Sequence, residues 1–185
     1  GAGWYQNWSY GADQLHPSNM AVAHMVGVSP NGLAANAYAI RRTTAQDPGA
    51  LWLVGNEPDM IRQDNVTPAQ YAVQYHDAYM MIKAADPTAR VSAAGIVEAT
   101  PLRLGWLSAA WDYYEARYDS PMPVDVWNVH NYILQERPDD WGADIPPGYY
   151  GERGQTYPLN SHDDLDIFAQ QIVAMRQWMA DHDQQ

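Results

Sequence analysis

Two short segments of this sequence carry residue types that could do acid–base chemistry on a polar substrate. The first is Asn56-Glu57-Pro58-Asp59, directly after Leu51-Trp52-Leu53-Val54-Gly55, a continuous apolar run of strand length. In parallel α/β sheets ligands bind at the carboxyl ends of the strands, which is where the Glu57 carboxyl would stand. An acid there, its pKa raised by partial burial or by a second carboxylate, can protonate a leaving oxygen, and Asn56 offers an amide to a substrate hydroxyl. The second segment is Asn128-Val129-His130-Asn131-Tyr132, where an imidazole, an amide and a phenol converge at the end of an alternating run from Val124. A third feature is Trp4-Tyr5-Gln6-Asn7-Trp8, whose rings could stack on the apolar C–H faces of a sugar.

Each of these has a plainer reading that the sequence leaves open. A glutamate after a strand also serves as a helix N-terminal carboxylate. A single histidine is often a hydrogen-bonded structural residue. Alternate strand residues face opposite sides, so at least one of Trp4, Tyr5 and Trp8 should point into the core. Trp52, Trp127 and the tyrosines of residues 71–82 read as core. His162, Asp163, Asp164 and Asp166 could be drawn as a metal site, but an Asp-rich helix start is ordinary capping, and no metal or other cofactor is expected.

The elements that must position these groups alternate along the chain. Strands are expected near 4–8, 20–28, 51–56, 90–97 and 124–130, and helices near 67–85, 101–118 and 163–182. Thr67-Pro68-Ala69-Gln70 is a capping-box pattern with Pro at the first helical position, and Thr100-Pro101 opens the next helix. Ser29-Pro30 has the same form and predicts a further helix running to about Ala45. On the last helix Ile167, Ile172, Met175 and Met179 are expected on or near one buried face. A loop through Pro17 and a long Gly-, Pro-, Tyr- and Asp-rich loop from Asn131 to His162 complete the chain. Strand alternating with helix is the α/β signature, and connections of this length imply parallel strands with right-handed crossovers.

With 185 residues the chain is one domain's worth. It holds 10 Lys and Arg against 22 Asp and Glu, a net charge of −12, which disfavours nucleic acid and anionic membrane surfaces as partners. Ten acidic against three basic side chains fall in residues 136–185, so the acidity concentrates in the long loop and last helix. The absence of Cys excludes disulfide scaffolds and cysteine-ligated metal centres. Eight Trp and 13 Tyr against one Phe favour rings with both an apolar face and a polar edge, a surface suited to sugars.

Taken jointly, four segments resemble the retaining glycoside hydrolases of clan A, closest to the family 128 β-1,3-glucanase type. They are Trp4–Trp8, Leu51–Asp59, Gln63-Asp64-Asn65-Val66-Thr67-Pro68 and Val124–Tyr132. The resemblance implies an α/β fold of the (β/α)8 TIM-barrel type in which Glu57 is the catalytic acid/base. It places Asn56, His130 and Tyr132 around the sugar at the point of cleavage, with Trp4, Tyr5 and Trp8 stacking on sugars. It further implies a β-glucan-like polysaccharide or oligosaccharide as substrate, a bacterial origin and a secreted or cell-surface location. The alternatives are a non-catalytic carbohydrate-binding protein that keeps the same cleft and, from another class, a metal-dependent hydrolase.

Such families carry a strand before the Trp-Tyr segment. After the helix matching 163–182 they carry a strand bearing a Thr/Ser-Glu nucleophile and a last βα unit. Eight units need at least ~200 residues. Residues 1–185 are therefore expected to be an incomplete catalytic domain, a partial barrel of about five parallel strands with outer helices and open edges available for self-association. The two-carboxylate reaction is then not expected to run in this chain alone. Glu98, at the end of the 90–97 strand, is the best internal substitute for the nucleophile, followed by Glu136 and Asp144.

Overall fold

The computed structural model describes residues 3–11, 19–93, 95–138 and 141–184. The loop expected through Pro17 lies in part outside them. Four strands, β1 (Trp4–Gln6), β2 (Ala21–Val26), β3 (Leu51–Val54) and β4 (Arg90–Ala93), form one sheet in sequence order, every neighbouring pair parallel. Helices α1 (Ala37–Gln46), α2 (Pro68–Ala85), α3 (Pro101–Tyr118) and α4 (Leu165–Asp181) alternate with the strands or follow them. Sequential parallel strands with helices between them make an arc of a (β/α) barrel.

Alternation along the strands sorts the side chains into two layers. Trp52 and Val54 of β3, Val26 of β2 and Val91 and Ala93 of β4 join the main core with Tyr71, Tyr75, Ala78 and Ile82 of α2 and Trp106, Leu107 and Trp111 of α3. Ala23, Met25 and Leu53 face the other way and make a small separate cluster. Trp127 packs half-buried at the edge of the main core, with Trp178 of α4 in an edge-to-face contact at 4.9 Å.

The expected fifth strand is the irregular part of the arc. Residues 124–130 run parallel beside β4 and its continuation without a continuous ladder: the bridges Ser92 to Val126 and Ile96 to Val129 are joined by backbone hydrogen bonds from Asp125 to the Val91 carbonyl at 2.9 Å, from Ala93 to the Val126 carbonyl at 3.2 Å and from His130 to the Ile96 carbonyl at 3.0 Å. Asp125 explains part of the irregularity: its Oδ2 takes the N–H of Val91 at 2.8 Å, so a side chain occupies a ladder position. The strand expected over 90–97 likewise ends its ladder at Ala93.

Two helical expectations are corrected. The helix expected from Ser29-Pro30 begins only at Ala37. Gly32 adopts φ 112 and its N–H returns to the Ser29 carbonyl at 2.9 Å, so residues 29–32 close a turn that cannot propagate as a helix. Asn36 caps α1 instead, its Oδ1 accepting the N–H groups of Tyr38 and Ala39. On α4 the buried face runs through Gln171, Met175 and Trp178, one position away from the expected stripe, and leaves Ile172 partly exposed. By contrast, the Thr67-Gln70 capping box of α2 forms as the sequence predicts. None of the helices among the described residues is long and apolar enough to cross a membrane.

Because a single side chain carries the α1 cap, Asn36→Ala is expected to cost about 1 kcal/mol of stability. Urea denaturation checks this, and an unchanged midpoint would show that the cap is dispensable.

Candidate functional site

Glu57 stands three residues beyond β3, at the carboxyl end of the sheet, and its backbone is left-handed at φ 46. A non-glycine residue there is strained and must be held by its surroundings. Gly55 turns the chain at φ 89, the Glu57 N–H donates to the Gly95 carbonyl at 3.1 Å, and the Glu57 carbonyl accepts from Met60 at 3.0 Å. Only 6% of Glu57 is exposed, and its Oε1 lies 2.7 Å from His130 Nδ1. The glutamate and histidine that the sequence offered 73 positions apart are thus one hydrogen-bonded pair.

The residues around this pair are themselves tied down. Asn56 gives its N–H to Asp64 Oδ2 at 2.5 Å and its side-chain amide to Gln63 at 3.2 Å, leaving the Asn56 Oδ1 buried and unpaired. Burial pushes the Asp64 carboxyl up to about 6, the Glu57 charge adding to the rise and the Asn56 N–H opposing it. Tyr132 is half exposed, with its ring edge-on to His130 at 6.1 Å. Beneath it, Gln171 of α4 donates to the Tyr132 carbonyl at 2.7 Å and accepts the Ala99 N–H at 2.8 Å. One buried amide therefore joins α4 to two of the carboxyl-end loops.

The aromatic residues of the first strand are spread along and beyond it. Trp8, 71% exposed, lies past the carboxyl end of β1, the same end of the sheet as Glu57. Trp4, exposed like Trp8, pairs in register with Ala21 at the amino end of β1 and lines a cavity of about 190 Å³ with Gln6, Ala23, Leu53, Trp127 and Asn128, so neither tryptophan is the ring expected to point into the core. Tyr5 is half-buried between them on the alternate face.

Behind the Glu57 turn lies a buried charge cluster that sequence reasoning missed. Arg103, fully buried in the first turn of α3, donates through Nη1 to both the carbonyl and the carboxylate of Asp59, and through Nη2 to the carbonyls of Ala143 and Asp144 at 2.8 Å each. Its Nε lies 3.0 Å from Glu136 Oε1 and 3.8 Å from Glu98 Oε1. Glu136 also accepts from Thr100 and Gln155 at 2.6 Å, and Glu98 accepts the Leu134 N–H at 3.0 Å. The available signal was phase: Arg103 shares the helical stripe of Leu107, Ala110 and Tyr114, all buried.

This cluster corrects the expectation that Glu98 could replace a nucleophile. Glu98 has no exposed surface and its carboxyl is pushed up to about 8, chiefly by burial, with the neighbouring Glu136 charge reinforcing it. Glu136 is equally enclosed, and Asp144 turns its Oδ1 back onto the Ile145 N–H. The acidic start of α4 is a cap, with Asp164 Oδ1 accepting from Asp166 and Ile167. Among the described residues no group of three or more His, Asp or Glu side chains could hold a metal ion.

Comparison with known proteins bears on this geometry. The family model described as glycosyl hydrolase catalytic core matches residues 1–141. The chain belongs to the glycosyl hydrolase catalytic core family. No curated protein matches it. Among solved structures, a GH128 (subgroup II) endo-β-1,3-glucanase from Pseudomonas viridiflava is 20% identical with a TM-score of 0.56, over 67% of this chain and 51% of its own. The corresponding enzyme from Sorangium cellulosum is 17% identical with a TM-score of 0.51, over 69% and 51%. A GH128 (subgroup I) endo-β-1,3-glucanase from Amycolatopsis mediterranei, solved with laminaritriose, is 20% identical with a TM-score of 0.51, over 74% and 50%. The likeness is one of fold, and this chain spans about half the length of the structures it matches. In this glycosyl hydrolase core the matched residues contain Glu57, His130 and Tyr132, together with Asp59, Glu98, Arg103 and Glu136 of the buried cluster.

The folded chain holds a Glu98 proton that the unfolded chain releases near the ordinary value of 4.5. Stability is therefore expected to fall as pH rises from 4.5 to about 8 and to level off above that. Glu98→Gln, which keeps an acceptor for Leu134, should make this slope shallower, leaving the part due to the other raised carboxyls, and be more stable than the parent at pH 8. Thermal unfolding across that range checks it, and parallel curves would contradict it.

Proposed function

We propose that this chain is the acid/base half of a retaining glycoside hydrolase site acting on a β-1,3-glucan. The observation that carries the reading is the Glu57–His130 pair at the carboxyl end of a parallel sheet, in a chain of the glycosyl hydrolase catalytic core family. The glucan comes from the fold neighbours, which are β-1,3-glucanases and include one solved with laminaritriose.

In this reading the Glu57 carboxyl gives its proton to the departing glycosidic oxygen and later takes one from the attacking water. His130 fixes which carboxyl oxygen faces the substrate, because its Nδ1 occupies Oε1. The unpaired Asn56 Oδ1 is an acceptor for a sugar hydroxyl, and Trp8 and Tyr132 offer exposed rings at the same end of the sheet. A polysaccharide of this kind is met outside the cell, which supports a secreted or surface location.

A second reading, carbohydrate binding without turnover, is favoured for the isolated 185-residue chain by one observation. The internal carboxyls offered as nucleophile, Glu98 and Glu136, are enclosed around Arg103. This chain is accordingly expected to bind laminari-oligosaccharides with no measurable hydrolysis, as followed by calorimetry and reducing-sugar release. Robust hydrolysis would show that another carboxylate reaches the sugar, with Asp64 the first to substitute. Trp8→Ala should weaken the binding by about 1 kcal/mol or more, and unchanged affinity in a folded variant would remove Trp8 from the site.

Where hydrolysis is measured, Glu57→Gln should lower the rate on laminari-oligosaccharides by about 10²–10⁴. Activated aryl β-glucosides, whose leaving groups need little protonation, should lose much less in the first step. Equal losses on both substrates would give Glu57 a structural role instead.

A further inference from the structure

The Glu57–His130 pair rests on a residue with no side chain. Gly95 is buried just beyond β4, where its carbonyl accepts the Glu57 N–H at 3.1 Å. The His130 ring lies against its α-carbon. A β-carbon at that position would come within 2.5 Å of His130 Cδ2, 2.7 Å of His130 Nε2 and 2.9 Å of Asn128 Nδ2. Contacts that short do not occur between unbonded heavy atoms in a packed interior, so the ring would have to move. The backbone of Gly95 is not among those with positive φ, so space rather than conformation demands glycine. Gly27, directly after β2, makes the contrast: a β-carbon there meets Ala34 Cβ at an ordinary 3.6 Å.

We infer that Gly95 is the positioning residue of the Glu57–His130 pair, seating the imidazole by its missing side chain and the glutamate by its carbonyl oxygen. This rests on the reading of that pair as the sugar-acting site. Gly95 touches both members, and they touch each other at 2.7 Å. A methyl group at 95 lifts the ring off Glu57 while leaving the backbone of the segment in place, since the His130 N–H stays bonded to the Ile96 carbonyl at 3.0 Å.

The test compares Gly95→Ala, Gly27→Ala, His130→Ala and the Gly95→Ala/His130→Ala double variant. Ring ¹⁵N and ¹H resonances of His130 report whether Nδ1 is hydrogen-bonded. The signature of the bonded ring is expected in the parent and in Gly27→Ala and is expected to be lost in Gly95→Ala. Laminaritriose affinity should fall about tenfold in Gly95→Ala, and the same change should have no further effect once His130 is already alanine. If Gly95→Ala fails to fold, the double variant should fold, because the methyl then occupies the space the imidazole has vacated and only the end of the Asn128 side chain, at 2.9 Å, has to give. A bonded Nδ1 in Gly95→Ala, effects that simply add in the double variant, or a double variant that also fails to fold would each overturn the inference. If the parent does not bind laminaritriose, the glucan reading falls and the ring spectra alone decide the role of Gly95.

Discussion

One guanidinium organises the carboxyl end of this sheet. Arg103 is enclosed on all sides, and the groups it binds come from the turn after β3, the loop around residues 143–144 and the segment at Glu136. Three carboxyl groups compete for it, and burial pushes all of them, Asp59, Glu98 and Glu136, above the ordinary carboxylate range. Such a cluster contributes little net stability compared with an apolar core, but removing its single cation would strand buried charge at a cost of about 3–5 kcal/mol. Its physical effect is geometric: five donors in a rigid plane fix several chain segments at once.

The position of Glu57 follows from that constraint. Asp59, two residues on, is clamped by Arg103 and accepts the Val97 N–H at 3.2 Å, so the turn containing the glutamate is held to β4's continuation. From the other side Gln171 and Asn131 connect α4 to the His130–Tyr132 segment, with Asn131 Nδ2 donating to the Phe168 carbonyl at 3.1 Å. The left-handed backbone of Glu57 is held between these two attachments.

Local chemistry was readable in the sequence where a signal is confined to neighbouring residues. Thr67-Pro68 and Thr100-Pro101 mark the starts of α2 and α3, and the apolar run 51–54 marks β3, because caps and strand periodicity need no partner. Ser29-Pro30 misled because the same dipeptide also opens a turn, and Gly32 decided between the two. Glu57 and His130 were each legible as candidates, but their contact was not, since it depends on how 73 intervening residues fold. Glu98 looked available from its place after β4, and only the packing of Arg103 against it shows otherwise. Trp4 opens β1 and Trp8 lies past its carboxyl end, both rings exposed, a placement that their spacing of four residues does not by itself reveal.

The irregular pairing of residues 124–130 has a consequence for the site. Parts of a protein held by few ladder hydrogen bonds open locally well before the whole molecule unfolds. Here that segment carries the imidazole half of the pair, while the carboxyl half sits on the well-paired β3. Local opening at the irregular edge would therefore part the pair while β3 and the core behind it stay intact.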